Sequence, residues 1–235
     1  MDKNNQLRAG DYFERIAVFV GLVVLVLIVQ LPLSFIMYGH YSAIGRYTWA
    51  GIYLLGFALA ITIAVYCYRK YAHPQKMPLT RQDVSMILVA YVSFFVIQIG
   101  LGLLNQAIYH QTSTANNKVI YQIMGTNHFT LVLMGFTAVF CSPILEELVF
   151  RGFLIGAMFT TRTKALAVVI SGVLFAFPHM ADINVISFLT YAILGGTLAY
   201  LYVHTNNIKV PIGLHFLNNL IAMGMMLLQV TLNSH

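Results

Sequence analysis

The sequence predicts an all-α, polytopic transmembrane protein, a bundle of seven to eight helices. Three observations predict it. Hydrophobic residues make up 59% of the chain and charged residues 9%, against about 25% charged in an ordinary soluble domain, and the mean hydropathy is +0.78. The apolar residues fall into long runs near 16–38, 47–68, 84–109, 128–160, 165–181, 186–204 and 210–232, comparable with the roughly 20 residues that one helical crossing of a ~30 Å hydrocarbon layer needs. No pattern of short alternating strands is present, so helices are the remaining way to satisfy the backbone in lipid.

Taken in order, the run 16–38 follows Lys3, Arg8 and Arg15 and so resembles a signal peptide. Its apolar stretch is longer than a usual signal core and no small-residue cleavage site follows, which makes it a retained first helix. Runs 47–68 and 84–109 are joined by the basic HPQKMPLTRQD at 73–83, whose two prolines mark a connection. The polar HQTSTANNKVIYQIMGTN at 110–127 reads as an external connection. Run 128–160 is longer than one straight crossing requires at ~1.5 Å per residue. Ser142 and Pro143 in its middle suit an N-cap and a first helical residue, so a kink or break is expected there and the helix count becomes seven or eight. No repeat or low-complexity tract divides the chain, and residues 1–235 read as a single membrane domain.

Ten basic residues outside the runs (Lys3, Arg8, Arg15, Arg69, Lys70, Lys76, Arg81, Arg162, Lys164 and Lys209) fall on one side of this threading, and Arg46 and Lys118 on the other. That bias predicts a cytoplasmic N-terminus and an external C-terminus in a multi-pass protein. It also accounts for the net charge of +6 without nucleic acid as a partner. Cys67 and Cys141 lie in apolar runs without metal-type spacing and support neither a disulfide framework nor a thiolate zinc site.

Of the seven acidic residues, only Glu146 and Glu147 fall inside an apolar run, and Arg151 is the one basic residue there. Each such charge costs on the order of 3 kcal/mol at a helix centre, so three of them in CSPILEELVFRGFL require compensation or use. Glu147 and Arg151 are i and i+4 on one face and can pair, whereas Glu146 is rotated about 100° away. In FAFPH, Phe175 and His179 share a helix face; in HFLNN, His215 and Asn219 do. A carboxylate with a histidine can deprotonate water, and a histidine with an amide can donate to a developing oxyanion. Together they suit an acyl hydrolase without a covalent nucleophile, working in an intramembrane cavity. Counting from the cytoplasmic ends of straight spans puts Glu146 and His179 about 21 Å deep but His215 and Asn219 only about 8–14 Å deep.

EELVFR, FAFPH and HFLNN fit EExxxR, FxxxH and HxxxN in order, and the chain over about 128–232 resembles the CPBP family. These are the CAAX protease and bacteriocin-processing, or Abi, intramembrane glutamic endopeptidases. The resemblance implies that Glu146 and His179 activate the attacking water and that His215 and Asn219 stabilise the oxyanion. Glu147 and Arg151 would position the motif, although the second glutamate is itself considered essential in parts of the family. The substrate would be a membrane-associated peptide or protein. A bacterial member in the cell membrane, acting on peptide pheromones, bacteriocin leaders or membrane-associated regulators, suits a chain of this length.

Other readings stand beside this one. Glu147 and Arg151 also suit a structural ion pair, Phe175 a packing wall, and Asn219 interhelical glue, with Asn218 a competitor for its role. A zinc hydrolase with Glu146, His179 and His215 as ligands is ranked below metal-independent catalysis because HExxH is lacking. A bacteriocin self-immunity protein, a membrane partner or a transporter is the alternative outside enzymes; transporters more often show repeats.

Overall fold

The computed structural model describes residues 9–39, 41–124 and 128–233, and its regular elements are all helices, with no strand among the described residues. The helices are α1 (Ala9–Ile28), α2 (Leu31–Tyr38), α3 (Ala43–Ala72), α4 (Arg81–Tyr109), α5 (Ala115–Met124), α6 (His128–Met158), α7 (Lys164–Ala176), α8 (Val185–Thr205) and α9 (Lys209–Asn233). Six helices or helix pairs are long and apolar enough to cross a membrane: α1 with α2, then α3, α4, α6, α8 and α9. The remaining apolar run, 165–181, forms the shorter helix Lys164–His179, in which α7 tightens into a 3₁₀ turn over Phe177–His179. The chain is a multi-pass membrane protein.

Local chemistry sets the boundaries. Thr80 and Asp83 form a reciprocal capping box at the start of α4, with Asp83 N–H donating to Thr80 Oγ1 at 3.1 Å and Thr80 N–H to Asp83 Oδ2 at 2.9 Å. Asn184 caps α8 by accepting from Ser187 N–H at 3.0 Å. Helices α3, α4 and α8 stop at His73, His110 and Asn206, each left-handed with φ near +50°, a conformation in which Asn and His are tolerated far better than branched residues.

Three sequence expectations change. The run 16–38 is not one helix: it turns at Val29–Gln30, because Pro32 has no N–H to continue the ladder and restarts it in the first turn of α2. The connection 110–127 is not merely a loop, since Ala115–Met124 is helical. Ser142 is not an N-cap. It sits within a continuous α6 at φ −61°, ψ −47°, where its side chain lines a cavity. The chain instead accommodates Pro143 by widening: π-helical turns over Thr137–Cys141 and Leu148–Ile155 flank an α-helical Ser142–Glu147.

One hydrophobic cluster draws Leu22, Phe57, Ile87, Phe150, Leu198 and Leu214 from different helices. The tightest packing is between α7 and α8. A Cβ on Gly172 would lie 2.8 Å from Ala192 O and 2.9 Å from Gly196 N, both backbone atoms, whereas a Cβ on Gly196 would meet nothing within 4 Å. Gly172→Ala is therefore expected to destabilise by about 1–3 kcal/mol through overpacking and Gly196→Ala to have little effect, as read from thermal unfolding of the detergent-solubilised protein.

Candidate active site

The two adjacent glutamates part company. Glu147 and Arg151 are completely buried, and Arg151 Nη1 donates to Glu147 Oε1 at 2.8 Å across one helical turn. Arg151 Nη2 donates to the Gly195 carbonyl at 2.8 Å, and its guanidinium lies 4.5 Å from the centroid of the Phe175 ring. The same Glu147 oxygen is 2.9 Å from His215 Nδ1. A carboxylate only accepts, so that nitrogen carries the hydrogen and Nε2 is the one left for other work. Glu147 thus pairs within its own helix with Arg151, as the spacing predicts, and ties that helix to α9 through His215, as nothing in the spacing foretells.

Glu146 takes the other direction. Its side chain is 12% exposed and lines a cavity of about 410 Å³ that is also lined by His179, His215, Asn218 and Asn219. Glu146 Oε2 lies 3.8 Å from His179 Nε2, beyond a direct hydrogen bond but within reach of one water molecule bonded to both. His179 Nδ1 is 2.8 Å from the Phe175 carbonyl. A carbonyl is only an acceptor, so Nδ1 carries the hydrogen and the Nε2 lone pair faces Glu146. Asn219 Nδ2 donates to the Ala138 carbonyl at 2.9 Å, within the first widened turn of α6, and Asn218 donates to Asn219 Oδ1 at 3.3 Å. One N–H of Asn219 is thereby used and its second remains for a ligand.

All seven residues singled out from the sequence meet here. Phe175 is their hub: fully buried, with ring centroids 4.6 Å from His179 and 5.7 Å from His215. The depth mismatch expected between His179 and His215 is absent. That count let every span start at the membrane edge, but the residues flanking the start of α9 are covered by another connection. Asn207 and Val210 are buried, and Asn207 Nδ2 and Lys209 Nζ donate to the carbonyls of Pro78 and Met77 in the connection that covers them. Among the described residues no three His, Cys, Asp or Glu side chains are grouped as a metal-ligand set.

Sequence reasoning missed two groups. Gln30, at the α1–α2 turn, accepts from Tyr53 Oη at 3.0 Å; Tyr53 Oη is also 3.0 Å from Thr137 Oγ1, and all three line the cavity. A lone glutamine two residues before a proline inside an apolar run was the available signal. The second is Tyr191, whose ring stacks on His179 at 4.8 Å and 24°, so that the imidazole is held between Tyr191 and Phe175. Its hydroxyl meets Thr114 Oγ1 at 3.0 Å and Asn116 Nδ2 at 3.2 Å. An aromatic in an apolar helix gives no warning of such a contact.

Comparison with known proteins bears on this half of the chain. Residues 128–221 match the family model "Type II CAAX prenyl endopeptidase Rce1-like". That segment contains the whole of the three motifs, Glu146 to Asn219, in line with their CAAX protease resemblance. The chain is also 30% identical over 145 residues to "Putative membrane peptidase YdiL" of Bacillus subtilis (strain 168), a match spanning 60% of this chain and 57% of that relative. No solved structure matches.

Two outcomes follow from this geometry. The χ2 torsion of histidine is broad, so stacking on both faces must help hold the ring with Nδ1 toward Phe175. Tyr191→Phe is expected to keep the Nδ1–H signature of His179 in ¹⁵N imidazole spectra and Tyr191→Ala to lose it, the signal being assigned through His179→Gln. Arg151→Met leaves Glu147 buried with one cation removed and should cost about 3–5 kcal/mol, a far larger fall in melting temperature than Glu146→Gln produces.

Proposed function

We propose that the protein is an intramembrane endopeptidase that hydrolyses peptide bonds of a membrane-associated peptide or protein with a glutamate- and histidine-activated water. The carrying observation is the division of labour between Glu146 and Glu147. One carboxylate is engaged through Oε1 by both Arg151 and His215, while its neighbour faces a cavity beside an imidazole whose Nε2 is an acceptor. A purely structural charge cluster would have no use for the second carboxylate in a cavity, where it costs free energy without a partner. The Rce1-like family match and the similarity to a protein described as a membrane peptidase support the same class.

In this reading a water between Glu146 and His179 loses its proton to that pair as its oxygen attacks the scissile carbonyl carbon. The carbonyl oxygen becomes an oxyanion, accepting from the second N–H of Asn219 and from His215 Nε2. His215 can donate from Nε2 only as an imidazolium, because its Nδ1 hydrogen is held by Glu147. The four charges, Glu146, Glu147, Arg151 and His215, then balance. The transferred proton goes to the leaving amine as the tetrahedral intermediate collapses. No metal is called for, since both the base and the oxyanion donors are side chains. We place the protein in the cell membrane with a cytoplasmic N-terminus, on the 10-to-2 distribution of basic residues. The substrate class extends from CAAX-type sequences to peptide pheromones and bacteriocin leaders.

The test is cleavage of a panel of lipidated and unlipidated peptides by purified protein. Glu146→Gln is expected to lower kcat by at least about 10²-fold with the fold intact, and a chelator is expected to leave the wild-type rate unchanged. Full activity in Glu146→Gln would sink the assignment, and activity that a chelator removes and zinc restores would replace it with a metal mechanism.

A further inference from the structure

The bundle differs between its two ends, and the site belongs to one of them. The described basic residues outside the spans, apart from Arg46 and Lys118, lie at the end formed by the α3–α4, α6–α7 and α8–α9 connections. At that end Arg15 donates to the Ala157 carbonyl and Lys209 to the Met77 carbonyl.

Most of the cavity lining comes from the parts of the helices farther from that end, with Glu146, Phe150 and His215 at its inner limit. Helix α6 lines it with Met134 to Phe150 but not with Phe153 or Ala157; α8 with Thr190 to Leu194 but not with Leu198 or Leu201; α9 with His215 to Met226 but not with Val210 or Leu214. The short α7 reaches it only with Phe175 and the turn that ends at His179, and α3 only with Tyr53, near its start. The connection after α4 contributes Thr114, Asn116 and Asn117.

Toward the basic end the centre of the bundle is closely packed. Ala64, Val149, Phe153, Ala167, Leu198 and Val210 all have 0% exposure, and a Cβ on Gly156 would lie 2.9 Å from both Ala72 Cβ and Tyr202 Oη. A second cavity of about 360 Å³ lies between α4 and α8 in that half, and the buried Phe94 borders both cavities. Through the packed centre neither water nor peptide passes without opening.

We infer that substrate reaches the Glu146–His179 pair from the end opposite the basic connections, so that with those connections cytoplasmic the protein acts on an extracytoplasmic segment. Such a segment is an exported peptide or the outer-leaflet end of a membrane-anchored protein. The chemistry of the route suits an extended peptide. From the outer end inward it offers the amides of Asn116, Asn117, Gln30 and Asn218 to a peptide backbone and the side chains of Ile120 and Met223 to apolar residues. This inference rests on the hydrolase reading for the word substrate and on the basic-residue distribution for the direction.

Access can be measured without cleavage. In a protein carrying Cys67→Ala and Cys141→Ala, single cysteines are introduced as Asn117→Cys at the outer connection, Ala222→Cys deeper on the cavity wall and Lys76→Cys in a basic connection. Each is exposed to a membrane-impermeant maleimide in spheroplasts and again after permeabilisation. Asn117→Cys and Ala222→Cys are expected to react in intact spheroplasts and Lys76→Cys only after permeabilisation. If Ala222→Cys reacts only after permeabilisation, or in neither state, the route is wrong. If Lys76→Cys reacts in intact spheroplasts, the direction is wrong. Met226→Cys, farther along the same wall, is the second probe if Ala222→Cys fails to accumulate. A protein that labels as expected yet cleaves no peptide keeps the access inference and loses the hydrolase reading, so the two failures are told apart.

Discussion

The buried contact on which the site depends is the one among Glu147, Arg151 and His215. Two full charges with no exposure are tolerable in a membrane protein only as a closed set, because desolvation of each costs several kcal/mol and attraction must recover it. Arg151 adds to the pair a bond to Gly195 O and the face of Phe175, while its Nε and Glu147 Oε2 are buried without a hydrogen-bond partner. The Gly195 and Phe175 contacts anchor α6 to α7 and α8, while the His215 contact anchors it to α9. Four helices therefore meet at one ion pair. With Glu147 committed, the rotation of about 100° per residue along the helix turns Glu146 to the adjacent face, where the cavity lies. The adjacency of two glutamates is thus a way to have one carboxylate in the charge cluster and one on the cavity wall within a single helical turn.

Much of this was legible in the sequence because intramembrane charge is rare and the period of a helix is fixed. EELVFR identified the pair and the free carboxylate from spacing alone, and FAFPH and HFLNN supplied the imidazoles and the amide on single faces. What was not legible were the quantities set by packing between helices. The depth at which α9 begins follows from the burial of Asn207 beneath the 73–80 connection, a contact between residues 129 positions apart. Tyr191 is one of fourteen tyrosines, and nothing local distinguishes it from those that face lipid; only the fold stacks it on His179. Pro32 and Pro143 carry the same local chemistry, yet one ends a helix and the other is absorbed by a widened turn. Which of the two happens depends on whether neighbouring groups can take up the carbonyls released.

The widened turn over Thr137–Cys141 illustrates that dependence. The Ala138 carbonyl, inside the π-helical stretch, accepts from Asn219, so the irregular backbone of one helix is satisfied by the side chain of another, as lipid surroundings require. The polar chain of Gln30, Tyr53 and Thr137 reaches the same stretch, with Thr137 donating back to Leu133 O and Met134 O at 3.1 Å.

A π turn is also one residue more than an α turn needs, and this gives α6 a register. The residues before it face α2 and α5, and those after it face the charge cluster. The wide turn takes up that surplus, so a single deletion between Thr137 and Cys141 would let the helix close to ordinary α geometry with the glutamates keeping their faces. A single deletion in the regular α-helical His128–Phe136 has no such slack and would turn the residues on its two sides by about 100° relative to one another. The motif would then read the same, letter for letter, with its carboxylates facing the wrong neighbours. In this helix, whether the glutamates face the cavity or the core depends on a residue count kept outside the motif that contains them.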